Sequence, residues 1–300
     1  MKKFVIVNHN KLEVLQRGSY GTPIVILTGM GCSFEEWVEI LETLSKTNQV
    51  IVYHRPGLGE SAIDNSNRNT QTAAEDLHSL LGLLKISEPV IVVGHSYGGL
   101  IAQHFTKLHP SKVRALVLVD STSVDLNILD KLDLPILNKE STDDVWIEKC
   151  ASYSLMSQDQ LSEIINPVLT EKQKQLPDAI KQRLIEFHQK PLLYKAMKSE
   201  IANWKKDAET IKSLGGIEDI YLVVIGRDKE FTIRNGIEEG LPECEMKLLE
   251  ETWQNLIKEQ IHLSRNSELL FAHHSSHSVH MDRSDIVING ILKAIDLTSL

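Results

Sequence analysis

The stretch Pro89-Val90-Ile91-Val92-Val93-Gly94-His95-Ser96-Tyr97-Gly98-Gly99 restricts what this chain can fold into more than any other. An unbroken apolar run, too short for a helix, meets Gly-x-Ser-x-Gly and passes directly into a helical pattern. Leu100, Ile101, Phe105 and Leu108 recur at three- and four-residue steps before Pro110 stops them. A serine at the junction of strand and helix sits in a cramped backbone conformation. The residues two places to either side must therefore be small, and Gly94 and Gly98 are. The hydroxyl is then exposed above the sheet, with a helix N-terminus beneath it to favour developing negative charge.

Around this junction the chain alternates two patterns. Phe4 to Val7 and Leu12 to Leu15, separated by the turn-like Asn8-His9-Asn10-Lys11, predict an N-terminal hairpin. Short apolar runs at Ile24 to Leu27, Val50 to Tyr53, Ala115 to Val119, Ile220 to Ile225 and Leu269 to Ala272 predict buried strands. Capping boxes at Ser33 to Glu36 and Thr72 to Glu75 introduce helices whose apolar faces carry Trp37, Ile40, Leu41 and Leu44, then Ala73, Leu77, Leu80, Leu81 and Leu84. A strand around Met246 to Leu249, a helix from Trp253 to Leu263 and a closing helix marked by Ile288, Ile291 and Ile295 complete the expectation. Buried strands alternating with amphipathic helices predict an α/β fold, a mostly parallel sheet covered on both faces.

From Ser121 to Gly216 the strand-like runs stop. Lys, Gln and Glu with scattered Leu, Ile, Trp and Met take over, and Pro135, Pro167, Pro177 and Pro191 divide the region into short helices. The expected organisation is a core from residues 1–120 and 217–300 with a helical insertion at 121–216. An insertion there overhangs the strand ends, where open α/β sheets bind ligands.

Composition narrows the partners. With 42% hydrophobic and 24% charged residues the chain is an ordinary globular one, and its formal net charge of −9 argues against nucleic acid or an anionic membrane. The four apolar residues Phe4 to Val7 after Met1-Lys2-Lys3 are too few for a signal-peptide core, and no run approaches a membrane span. Cys32, Cys150 and Cys244 are odd in number and lack Cys-x-x-Cys spacing, which predicts free thiols and a cytoplasmic protein.

The junction resembles that of the α/β-hydrolase superfamily, whose nucleophile elbow commonly reads Gly-His-Ser-x-Gly-Gly, as residues 94–99 do here. The resemblance implies a serine hydrolase with a helical lid at 121–216, a small acyl substrate, and no cofactor or metal. It also implies the chain order Ser, acid, His. Ser96 is the expected nucleophile and His277 the expected base, from Ser276-His277-Ser278-Val279-His280-Met281-Asp282. Asp228, after the strand beyond the insertion, matches the family's usual acid position, and Asp120, at the end of the strand after the elbow helix, is the alternative. Thr28-Gly29-Met30-Gly31 stands where relatives read His-Gly-x-Gly, so the Met30 and Tyr97 amides are the expected oxyanion donors. His54-Arg55-Pro56-Gly57-Leu58-Gly59-Glu60-Ser61 resembles the family's Asp-Arg-Pro-Gly-x-Gly-x-Ser and reads as structural support. Carboxylic ester, thioester, lactone and carbon–carbon hydrolysis all fit, whereas serine at the elbow argues against relatives with an aspartate nucleophile, such as haloalkane dehalogenases and epoxide hydrolases.

Three other readings have less behind them. Gly57-x-Gly59-x-x-Ala62 imitates a dinucleotide fingerprint, but those glycines should open a helix and Asp64 to Asn69 reads as a polar loop. His273, His274, His277, His280 and Asp282 lack the spacing of a known zinc motif. A ligand sensor that keeps the fold but little turnover is the alternative of a different class.

Overall fold

The computed structural model describes residues 2–64, 67–217 and 219–299. Of the polar loop expected at Asp64 to Asn69, Asn65 and Ser66 lie outside the described residues. Eight strands form one sheet: β1 (Lys2–Val7), β2 (Asn10–Arg17), β3 (Pro23–Leu27), β4 (Gln49–Tyr53), β5 (Val90–His95), β6 (Val113–Val119), β7 (Tyr221–Arg227) and β8 (Ser267–Ala272). Their spatial order is β1-β2-β4-β3-β5-β6-β7-β8. The β1–β2 and β2–β4 pairs are antiparallel and all others parallel. The fold is therefore α/β with a mostly parallel sheet. The central strands β3, β5 and β6 bury nearly every residue, as sequences rich in Val, Ile and Leu do when helices cover both faces.

The helices are α1 (Val38–Leu44), α2 (Thr70–Leu83), α3 (Tyr97–Leu108), α4 (Asn138–Ser141), α5 (Asp143–Tyr153), α6 (Gln158–Ile164), α7 (Glu171–Lys174), α8 (Asp178–His188), α9 (Pro191–Ser213), α10 (Lys229–Glu238), α11 (Glu243–Glu259), α12 (Val279–Asp282) and α13 (Ser284–Thr298). One face of the sheet packs on α2 and α3 through Leu77, Leu80, Leu100, Ile101 and Phe105. The other packs on α1 and α13 through Ile40, Leu41, Val287, Ile291 and Ala294. No helix among the described residues is long and apolar enough to cross a membrane.

Three local expectations need correction. Met246 to Leu249 is helical and belongs to α11, because Met246, Leu249, Trp253 and Leu256 continue one stripe at three- and four-residue steps. The first turn of α2 is closed by Asn69 with Thr72, not by Thr72 with Glu75, since Asn69 is extended and accepts from the Thr72 amide. Ser33 caps a 3₁₀ turn, Phe34–Trp37, by accepting from the Glu35 amide, and α1 starts after it.

Between β6 and β7 the described chain forms helices and loops only, with α5, α8 and α9 around a small core of their own (Cys150, Leu161, Phe187, Leu193, Tyr194). Two ionic contacts, the first of them buried, join this insertion to the sheet and the loops beside it. Glu200 of α9 grips Arg55 side-on, accepting from Nε at 2.9 Å and Nη2 at 3.2 Å. Arg183 of α8 donates to Glu13 of β2 at 2.8 Å and also bonds Glu35. Both members of the first pair are nearly fully buried, so removing one strands a charge in a low-dielectric interior. Glu200→Ala is expected to cost about 3–5 kcal/mol of unfolding free energy, read from urea denaturation, far more than loss of an exposed pair such as Lys247–Glu243.

Candidate active site

The chain crosses from β3 outward to β4, then returns to the other side of β3 as β5. The crevice at the C-terminal ends of β3 and β5 is thus the switch point where open α/β sheets bind ligands. Ser96 sits there, between β5 and α3, with φ 53° and ψ −125°. The turn survives because its glycines permit contacts that no other residue allows. A Cβ on Gly98 would lie 2.2 Å from the Leu27 carbonyl oxygen, and one on Gly94 would lie 2.6 Å from the Gly98 carbonyl oxygen.

His277 comes from the loop after β8, and its Nε2 lies 2.9 Å from Ser96 Oγ. Its Nδ1 lies 2.6 Å from Asp120 Oδ2. A carboxylate can only accept, so Nδ1 carries the proton and donates it, which leaves the Nε2 lone pair facing the serine hydroxyl. Asp120 follows β6 directly, with φ 39°, and is fully buried. Burial alone would raise its pKa. The Arg227 guanidinium, the His277 N–H and the Trp253 indole outweigh burial and hold the carboxyl well below the usual carboxylate range. Oδ1 accepts from Trp253 Nε1 at 3.0 Å and the Arg227 amide at 3.2 Å, while Oδ2 accepts from Arg227 Nη1 at 2.8 Å as well as from His277.

Asp228, the acid expected after β7, is not in this group. It caps α10: Oδ1 accepts from the amides of Glu230 and Phe231, and Oδ2 from the amide of His274. The strand's alternation is the reason. Arg227, one residue earlier, points toward Ser96's partners, and Asp228 points toward the helix that follows. The structure brings together Ser96, His277 and the alternative acid, Asp120.

Of the other histidines in the C-terminal group, His280 is buried and stacked on Trp37 with ring centroids 4.4 Å apart, and burial lowers its pKa to about 3. His273 and His274 are exposed. Among the described residues no three or more His, Cys, Asp and Glu side chains are grouped to hold a metal ion.

The loop after β3 carries Met30. Arg55 donates to the carbonyl oxygens of Thr28 at 2.7 Å and Gly29 at 3.2 Å. In a trans peptide the C=O and the next N–H point opposite ways, so anchoring the Gly29 carbonyl turns the Met30 N–H away from Arg55. Gly29 lies close enough to the elbow that a Cβ there would be 3.2 Å from Ser96 Cβ. Tyr97 opens α3, so its N–H has no partner within the helix. Arg55 thus does more than brace the sheet edge, and Arg227, Glu250, Trp253 and Glu200 belong to the same architecture without having been singled out from sequence. The one sequence signal for Arg227 is its place at the end of a strand, directly before Asp228.

Beside the loop, a cleft of about 590 Å³ is lined by Met30, Gly31, Trp146, Tyr153, Tyr194 and Met197 among others. Trp146, Tyr153, Tyr194 and Met197 thus come to this space from the insertion. Phe187 is buried at 2% exposure in the insertion's own core, Met156 packs against that core, and Trp204 donates its indole N–H to Asp143.

Comparison with known proteins agrees with the geometry. The family model for the alpha/beta hydrolase fold matches residues 22–155. YqjL of Bacillus subtilis is 22% identical over 276 residues, covering 91% of this chain and 83% of that protein. The putative carbamate hydrolase RutD of Azorhizobium caulinodans is 34% identical over 100 residues, but the match spans only 33% of this chain and 37% of that protein. The crystal structure of the enol-lactonase from Burkholderia xenovorans LB400 superposes with a TM-score of 0.69 at 15% identity, over 98% of this chain and 100% of that one. The chain has the α/β-hydrolase fold.

The lowered pKa of Asp120 has a consequence for stability. The native state holds this carboxylate unprotonated where the unfolded chain, with an ordinary value of 3.8, would take up a proton. Its contribution is therefore complete above that value and is lost as pH falls below it. Asp120→Asn is expected to be less stable than the wild type at neutral pH and to show a shallower decline between about pH 5 and pH 2, measured by denaturant titration across that range.

Proposed function

We propose that the chain is a serine hydrolase that cleaves small acyl substrates, carboxylic esters or related compounds, through an acyl-enzyme, with residues 121–216 as a helical lid over the site. The observation that carries this reading is the unbroken contact from Ser96 Oγ through the His277 ring to buried Asp120, at 2.9 and 2.6 Å. A serine hydroxyl is a poor nucleophile at neutral pH unless a base stands ready for its proton, and the base needs an acid to fix its tautomer and stabilise the imidazolium.

In the proposed cycle Ser96 Oγ attacks the carbonyl carbon as His277 Nε2 takes the hydroxyl proton. The oxyanion is held by the N–H groups of Tyr97 and Met30, with the α3 dipole behind it. Collapse expels the leaving group, which His277 protonates. Water, deprotonated by the same imidazole, then releases the acid and restores Ser96. The cleft beside Met30, with Trp146, Tyr153 and Tyr194 in its walls, supports an apolar or aromatic acyl or leaving group. Carbamate and lactone, the substrate types in the relatives' names, both present a carbonyl carbon to such a nucleophile. The same reading makes the protein cytoplasmic, with Cys32, Cys150 and Cys244 as free thiols.

Ser96→Ala and His277→Ala are expected to lower turnover of 4-nitrophenyl acetate by several orders of magnitude with little change in KM. Asp120→Asn should lose on the order of 10⁴-fold in kcat, whereas Asp228→Asn, which keeps an oxygen to cap α10, should stay within a few-fold of wild type. Equal activity of Ser96→Ala and wild type would refute the mechanism. A wild type inert toward a panel of acyl substrates, yet stabilised by one of them, would favour the sensor.

A further inference from the structure

Strand β7 delivers an arginine, not an acid, to the catalytic group, and that arginine is already held from behind. Arg227 is 9% exposed, and its Nη1 donates to Asp120 Oδ2 at 2.8 Å. The other edge of the guanidinium is taken by Glu250 of α11: Nε donates to Oε2 at 2.8 Å and Nη2 to Oε1 at 2.6 Å. Glu250 is itself 2% exposed. Trp253, three residues further along the same helix face, bonds Asp120, lies with its ring 4.6 Å from Arg227 Cζ, and meets the His277 ring edge-on at 5.6 Å. One turn of α11 thus reaches the acid directly through an indole and indirectly through a carboxylate.

This arrangement has an electrostatic problem and its remedy. Arg227 Nη1 lies 3.3 Å from His277 Nδ1. Both atoms donate to Asp120 Oδ2, so they share an acceptor and do not bond each other. A permanent cation at that distance opposes the imidazolium that each acylation requires, and it draws on the same carboxylate that should stabilise that imidazolium. The Glu250 carboxylate is the only full negative charge bonded to the far edge of the guanidinium among the described contacts. Resting on the serine-hydrolase reading above, we propose that Glu250 is a positioning residue of the active site: it clamps Arg227 against Asp120 and offsets its charge, so that His277 can accept the Ser96 proton.

Other groups around His277 set the background against which this is read. His95 of β5 packs on it with centroids 4.9 Å apart and His280 of α12 packs on His95, and burial lowers the pKa of both, keeping them neutral. Glu36 contacts His280, and burial pushes its carboxyl up to about 7. Asp282 accepts from Ser276 beside the base, and Asp228 from His274. These are common to every variant below, so differences between variants report the Glu250–Arg227 pair alone.

The experiment measures the second-order rate of Ser96 phosphonylation by a fluorophosphonate probe from pH 4 to 9, with the label located by mass spectrometry and Ser96→Ala as control. In Glu250→Gln the acidic limb of the profile should move to lower pH by on the order of one unit, and the plateau rate should fall several-fold. Glu250→Asp should return the limb toward wild type. The double variant Arg227→Met, Glu250→Met removes both charges, including the nearer cation, so its limb should move to higher pH. It also replaces a buried ion pair with apolar side chains, a change such pairs often tolerate, so the sign test survives if Glu250→Gln does not fold. Limbs coincident with wild type, or displaced the same way in Glu250→Gln and the double variant, would overturn the proposal while leaving Ser96 as nucleophile. A wild type left unlabelled at Ser96 would overturn both.

Discussion

The close crossing of the first turn of α3 over the end of β3 is the contact on which the rest of the site depends. With Gly98 against the Leu27 and Thr28 carbonyls, helix and strand approach nearer than any Cβ would permit, and Ser96 is forced into a left-handed backbone conformation. That conformation lifts the hydroxyl out of the sheet and leaves the Tyr97 amide without a helical partner. It also brings the loop after β3 against the serine, so Ser96, the Tyr97 amide and the Met30 loop are placed by one packing event. The strain is carried by an apolar sheet buried on both faces, which is stable enough to hold it.

Around this contact the molecule spends its buried charges sparingly and in sets. Asp120 sits among four donors, Arg227 between two carboxylates, Arg55 between Glu200 and two backbone carbonyls, and Glu13 among His54, Arg183 and the Glu60 amide. Each set joins segments distant in sequence. An isolated buried charge is too costly to keep, so every ionic group retained in the interior specifies where its partners must lie. Here those partners are strand ends, the loop after β3, α11, and two helices of the insertion.

The sheet and the elbow were legible because they rest on local signals: apolar runs of strand length, and glycines on either side of a serine at the border between two periodicities. Met246 to Leu249 misled because a four-residue window cannot distinguish a strand from one turn of a helical stripe, whereas the window reaching Trp253 and Leu256 can. The acid misled for another reason. Asp228 and Asp120 both directly follow a strand, and nothing nearby in the chain records which one turns toward the imidazole. That is decided by Arg227 and Trp253, which bond Asp120 from β7 and α11, and by Glu250, which holds Arg227 from behind. Arg55 was read as support for the sheet edge because its carbonyl acceptors and Glu200 lie far from it in sequence.

The grip of Glu200 on Arg55 ties α9 to the loop after β3. Helix α9 holds the same guanidinium that fixes the Thr28 and Gly29 carbonyls, and Met197, one turn before Glu200, packs against Gly31 in the same loop. Displacing α9 outward must therefore either drag this loop along or leave the Arg55 guanidinium without its carboxylate in a dry interior, so helix and loop are coupled through one buried charge pair.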